Sequence, residues 1–252
     1  MSMYVYEDED RTKKVLARNT TERDKGIRYY CPNPKCEARM FLWNTEGESK
    51  SFFRSAGKPG HVEHCPYGSE NTYNPENTKE DGFDIEDAIS NLMVPTASAS
   101  KTNKTEPREQ GAGTSDKEIV PHTIKQIYDM CKAHYCKDTF NNQVIGQLLL
   151  DDRSIFMYPK GIYGSRFIEA KCRAKLYDGM NIYLETPIGT EKYQLKLKFQ
   201  DIKLFREIRD LLYNNRNHVI VVGGKWESSG EYNCFATEFS SKKQIKVLKQ
   251  VI

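Results

Sequence analysis

The sequence predicts an α+β chain that is mainly β, with a small N-terminal module organised by four side chains and then a five-stranded barrel with one inserted helix. Three observations carry this expectation. Cys31, Cys36, His61 and Cys65 place four soft donors in a segment too short to build a large core of its own. Residues 168–176 alternate strictly between apolar and charged side chains, the period of a half-buried strand. Further on, the apolar periodicities follow the order strand, strand, strand, helix, strand, strand.

The N-terminal module is assigned to residues 1–68. Its donors stand in YYCPNPKCEARMFLW and SFFRSAGKPGHVEHCPYG, a C-x4-C followed by two strand-like runs and an H-x3-C. Thiolates and neutral imidazole are the donors tetrahedral zinc takes, and four of them close a structural site with no position left for substrate. The expected cofactor is therefore a structural Zn2+ on Cys31, Cys36, His61 and Cys65. His64 is the competing donor, but it adjoins Cys65, and neighbouring side chains seldom converge on one ion. The chain has seven cysteines, an odd count clustered by spacing, which points to reduced thiols and a cytoplasmic protein rather than a disulfide framework. The start, MSMYVYEDEDR, is acidic where a signal peptide would be basic and then apolar, and no run reaches the length of a membrane span.

Residues 69–120 read as an acidic disordered linker. SENTYNPENTKEDG and TASASKTNKTEPREQGAGTSDKE hold almost no large apolar residues and cannot offset the entropy of ordering. Between them, FDIEDAISNLMVP recurs at helical spacing through Phe83, Ile85, Ile89, Leu92 and Met93. A short amphipathic helix over 83–94 is expected, either docking a partner protein's groove or packing back on its own chain.

Charge divides along the same boundaries. Residues 1–68 carry 12 Lys/Arg against 10 Asp/Glu, residues 69–120 carry 5 against 11, and residues 121–252 carry 21 against 14. A net charge of +3 thus hides a basic C-terminal half, the asymmetry of a chain with a polyanionic partner.

Residues 121–252 are expected to form one domain. PHTIKQIYDMCKAHYC gives a helix over 122–135, VIGQLLL and SIFMY read as apolar and strand-like runs, and RFIEAKCRAKLY is the long strand. In that strand Ile168, Ala170, Cys172, Ala174 and Leu176 turn inward and Glu169, Lys171, Arg173 and Lys175 outward. NIYLETP and KYQLKLKF supply the next two strands. DIKLFREIRDLLYNN is an amphipathic helix with Asp201 as its N-cap. HVIVVGGKWE and YNCFATEFSS are the last two strands, ahead of a basic tail, KKQIKVLKQVI. In this element order residues 166–240 resemble an OB-fold of the kind found in single-strand-binding and replication proteins.

That resemblance implies a nucleic-acid face. Lys171, Arg173, Lys175, Lys196 and Lys198 are expected on one sheet surface with Tyr183 among them, and Lys225 and Trp226 follow the flexible Gly223-Gly224. Cations track phosphates while rings stack on bases. The competing reading is a solvated strand face whose lysines discourage edge pairing.

The run Tyr29–Pro66, with its cysteine pair, FFR and H-x3-C, is similar to the N-terminal region of competence CoiA-like proteins. That family couples such a region to a nuclease domain. By that analogy Asp151 or Asp152 with Glu169-Ala170-Lys171 is similar to the D…ExK set of PD-(D/E)xK nucleases, where two carboxylates hold magnesium and a lysine positions water. The leading expectation is a single-stranded nucleic-acid-binding accessory of replication, repair, recombination or phage-related processes. The alternatives are a magnesium-dependent nuclease acting through Asp152, Glu169 and Lys171, and a protein–protein adaptor.

Overall fold

Five short strands build the N-terminal module: β1 (Tyr4–Tyr6), β2 (Lys14–Leu16), β3 (Tyr29–Tyr30), β4 (Arg39–Trp43) and β5 (Phe52–Ser55). They form one antiparallel sheet in the order β2-β1-β3-β4-β5. Val5, Tyr29, Met40 and Phe53 bury together with the cysteines, giving the module a small core of its own. The computed structural model describes residues 1–44, 50–95, 118–186 and 193–251.

Residues 69–95 depart from the linker expected there. Asn71 donates to the carbonyls of Pro66 and Asp129, and Thr72 donates its backbone N–H to Asp129 Oδ2 at 2.9 Å. Tyr73 stacks edge-on to the His134 ring, and Phe83 packs on Phe140. Helix α1 (Ile85–Met93), capped by Asp84, buries Ile85, Ala88, Ile89 and Leu92. The apolar stripe that made this helix a candidate docking peptide is therefore covered by the chain itself. Ordering comes from side-chain bonds to buried partners, which an apolar count does not register. The second low-complexity run, 96–117, lies outside the described residues.

Helix α2 (Ile124–Ala133) opens on a capping box between Thr123 and Gln126. A small hairpin, β6 (Thr139–Phe140) and β7 (Gln143–Val144), leads into the single turn α3 (Ile145–Leu148) and strand β8 (Leu149–Leu150). The strand expected at SIFMY is instead a 3-10 turn over Ile155–Met157.

The barrel follows: β9 (Gly164–Asp178), β10 (Asn181–Glu185), β11 (Gln194–Phe199), helix α4 (Ile202–Tyr213), β12 (His218–Ser228) and β13 (Cys234–Phe239). Strands run in the order β9-β10-β11-β13-β12, and β12 returns to pair with β9 and close the ring. β11 and β13 are parallel and every other barrel pairing is antiparallel. This is OB-like topology, with α4 between the third and fourth strands as the sequence predicts. Leu204, Phe205, Ile208 and Leu212 of α4 join Ile168, Leu184, Leu197, Ile220 and Phe235 in the barrel core.

Three local expectations change. The β9–β10 register shifts between Ile182 and Leu184, so the alternation of β9 breaks and Ala174 is exposed. The basic tail is strand β14 (Ile245–Val251), antiparallel to β12. Gly223 and Gly224 lie inside β12 and are not a flexible link. A Cβ on Gly223 would meet Phe167 Cε1 at 2.7 Å and Ile89 Cδ1 at 3.1 Å, so the glycine lets α1 approach the barrel wall. Gly223→Ala is expected to lower unfolding free energy by about 1–3 kcal/mol, read from urea midpoints, because the wall is already filled.

Among the described residues no helix is long and apolar enough to cross a membrane.

Candidate metal centre and nucleic-acid interface

The four donors singled out in the sequence converge. Their ligand atoms all lie within 4.8 Å of one another, and this is the one such group among the described residues. Cys31 Sγ stands 3.8 Å from Cys65 Sγ and 3.6 Å from His61 Nδ1, and Cys36 Sγ stands 3.4 Å from His61 Nδ1. Metal–sulfur bonds of about 2.3 Å at tetrahedral angles put neighbouring donors roughly 3.5–3.8 Å apart, so the group fits one four-coordinate ion.

Local structure explains the convergence. Cys31 directly follows β3 and donates its N–H to Ala38 O, while Cys36 donates to Asn33 O, closing a tight knuckle. Arg11 clamps that knuckle from outside, donating to the carbonyls of Cys31, Asn33 and Cys36 at 3.0, 3.1 and 2.9 Å. Such outer contacts fix ligand orientation. His64 turns away and bonds Glu70 Oε1 at 2.7 Å, leaving His61 as the histidine of the cluster. Hydrogen bonding to both neighbours pushes the Cys31 thiol up, while Cys36 and Cys65, sharing that proton, come down to about 6 and about 4. A cation bound here would take the place of the protons these thiols share. Cys131, Cys136, Cys172 and Cys234 lie elsewhere, and Cys136 donates to Arg153 O.

The outer face of β9, β10 and β11 carries the expected cations, but each has a carboxylate. Lys171 and Arg173 meet Glu185 at 3.3 and 3.6 Å, Lys196 meets Glu231 at 2.8 Å, and Lys198 meets Glu227 at 3.2 Å. Lys175 pairs with Asp178 at the β9–β10 turn. Tyr183 sits between Arg173 and Lys196, 6.0 and 5.5 Å from its ring centre. Lys225 is exposed on β12. Trp226 is not a stacking residue: it is 2% exposed, fills the barrel and donates Nε1–H to Arg166 O. The sequence reading missed Tyr232, which is 93% exposed beside Glu231 in the turn after β12. An aromatic in SSGEYN, a stretch otherwise suited to a turn, was the available signal.

The residues of the D…ExK reading are divided. Glu169 lies under α2, with Oε2 3.0 Å from Lys132 Nζ and 3.2 Å from Tyr128 OH. Asp151 is fully buried, 3.0 Å from Lys132 Nζ and 2.7 Å from Arg153 Nε. Asp152 is exposed and reaches Lys132 only at 4.0 Å, and Lys171 turns to Glu185. The cations among these carboxylates are the side chains of Lys132 and Arg153. Burial pushes Asp151 up, but Arg153 and Lys132 outweigh it and hold the carboxyl at about 2. Burial pushes Glu169 up, with Lys132 opposing.

No family model matches this chain, and neither does any curated protein or solved structure.

Proposed function

We propose that this chain binds single-stranded nucleic acid across the β9–β10–β11 face of its barrel, with Zn2+ holding the N-terminal module in shape. The observation that carries the reading is Tyr183, flanked by Arg173 and Lys196 on the open side of an OB-like barrel. A ring between two cations serves one base and its phosphates. Two of the carboxylates on this face are readily displaced. Glu227 and Glu231 are 68% and 53% exposed, and surface pairs of this kind contribute only about 0–1 kcal/mol each, so a phosphate can take their place. Tyr232, 93% exposed and next in sequence to Glu231, which pairs with Lys196, is the second stacking candidate. Zinc is the ion assigned because three thiolates and one imidazole at tetrahedral spacing form a closed structural site of its preferred kind. An accessory role in replication, repair, recombination or phage-related processes follows from that partner class.

The test is fluorescence polarisation of a labelled single strand over a salt series, with and without magnesium. Replacing Lys171, Arg173 and Lys196 together by Glu is expected to weaken binding equally for all sequences. Each lost phosphate contact should flatten the log–log salt slope by about 0.7. Tyr183→Ala should cost about 1–3 kcal/mol. Unchanged affinity in the triple reversal would remove this face as the site. Magnesium-dependent shortening of the strand, abolished by Glu169→Gln, would establish the nuclease instead.

A further inference from the structure

The outer face of β4 and β5 in the zinc module presents an unbroken row of aromatic and guanidinium groups. Arg39, Phe41 and Trp43 are alternate residues of β4, so they share one face at intervals of about 6.6 Å. Arg54 of β5 is the direct cross-strand partner of Phe41, and Tyr30 of β3 is that of Arg39. The Arg39 guanidinium carbon lies 3.8 Å from the centre of the Tyr30 ring, and that of Arg54 lies 5.0 Å from Trp43. The row therefore runs Tyr30, Arg39, Phe41, Arg54, Trp43.

Two features separate this row from an ordinary solvated sheet. Among the described residues neither Arg39 nor Arg54 has a carboxylate partner, unlike Lys171, Arg173, Lys196 and Lys198 on the barrel. Trp43 is 41% exposed, although the module has a core in which to bury it. A guanidinium lying over a ring still presents its N–H groups at its edge, where phosphate oxygens are bound in pairs. Phe41 between them and Trp43 beyond Arg54 offer apolar rings to bases. An acidic peptide would use the arginines and leave the rings unoccupied.

We propose that this row is a second binding surface for single-stranded nucleic acid, with bases on Phe41 and Trp43 and phosphates on Arg39 and Arg54. It shares its ligand class with the barrel proposal, but each surface can fail without the other.

The chain supplies its own reporter, because Trp43 and the buried Trp226 are its only tryptophans. Titrating zinc-loaded full-length protein with oligothymidylate should quench tryptophan emission, and Trp43→Phe should abolish the quench. Phe41→Ala should weaken binding roughly 5- to 150-fold. Arg39→Gln with Arg54→Gln should flatten the salt slope by about 1.4, two phosphate contacts' worth. These are surface changes, and unaltered zinc content checks that the module is intact. Loss of binding in the Arg39/Arg54 variant but not in the Lys171/Arg173/Lys196 reversal would support this surface and remove the barrel face. The reverse pattern, with Trp43 emission unchanged on binding, would overturn this surface and leave the barrel reading standing. Absence of binding to the oligonucleotide by the wild-type chain would overturn both.

Discussion

Purified protein is expected to carry one zinc per chain, and Cys65→Ser is expected to lose it and unfold much of residues 1–68. The expected effect is large because the module's own core is small. Its buried residues are few, and three of them are the ligand cysteines themselves. Structural zinc sites contribute on the order of 10–16 kcal/mol of apparent binding free energy, which in such modules is folding free energy. Without the ion, three cysteine sulfurs and the His61 ring stand within 4.8 Å of one another with no cation to offset any thiolate charge. Cys131→Ser should retain the metal, since Cys131 belongs to the core under α2. His61→Ala should cost more zinc than His64→Ala, because His64 is already held by Glu70. Metal analysis with near-ultraviolet dichroism reads both effects. Zinc-free protein with unchanged dichroism would overturn the structural role.

The parts of this fold visible in the sequence are those fixed by local chemistry. The four clustered donors are two short spacings, and the knuckle geometry that aims them is local. The long strand β9 showed itself by period two, and α4 by Asp201 and an apolar stripe. What was missed depended on distant partners. Residues 69–95 are polar, yet Asn71 and Thr72 find Asp129 more than fifty residues away. Glu169 shares its strand face with Lys171, but α2 covers one and leaves the other to Glu185.

Trp226 is a different case, because the signal was present. Ile220, Val222 and Trp226 have the same parity, and carrying the strand through Gly223-Gly224 would have turned the ring inward. Reading two glycines as a link broke the pattern. The same parity rule, applied to RMFLW, separates Arg39, Phe41 and Trp43 from the buried Met40 and Leu42. The aromatic–arginine row was therefore also legible. Such a surface needs only alternate positions and one facing strand.

Asp151→Asn is expected to destabilise the whole chain by about 3–5 kcal/mol, the cost of breaking a buried ion pair by removing one partner. Asp151 is fully buried and is the carboxylate that faces both Arg153 and Lys132. Arg153 is the joint between the two halves of the molecule. Its Nη1 donates to Tyr4 OH at 3.1 Å in the N-terminal module and to His134 O at 3.0 Å after α2, and its Nη2 donates to Cys131 O at 3.2 Å. Removing the Asp151 charge leaves that guanidinium without its carboxylate and the Lys132 ammonium with Glu169 and the more distant Asp152, inside a region with little water to screen them. Unfolding in urea should show the lower midpoint, and the same variant should alter the acid limb of stability. The Asp151 carboxyl is held at about 2 in the folded chain, below its ordinary value of 3.8. Its contribution is therefore present above about pH 4 and lost as pH falls toward 2. Glu169 works in the opposite sense: its carboxyl is raised, so its cost is present at neutral pH and relieved on acidification. The difference between wild type and Asp151→Asn should shrink between about pH 4 and pH 2, and zinc release, common to both proteins, cancels in that difference. A difference that stays constant across this window would show that the charge on Asp151 is not what joins the barrel to the N-terminal module.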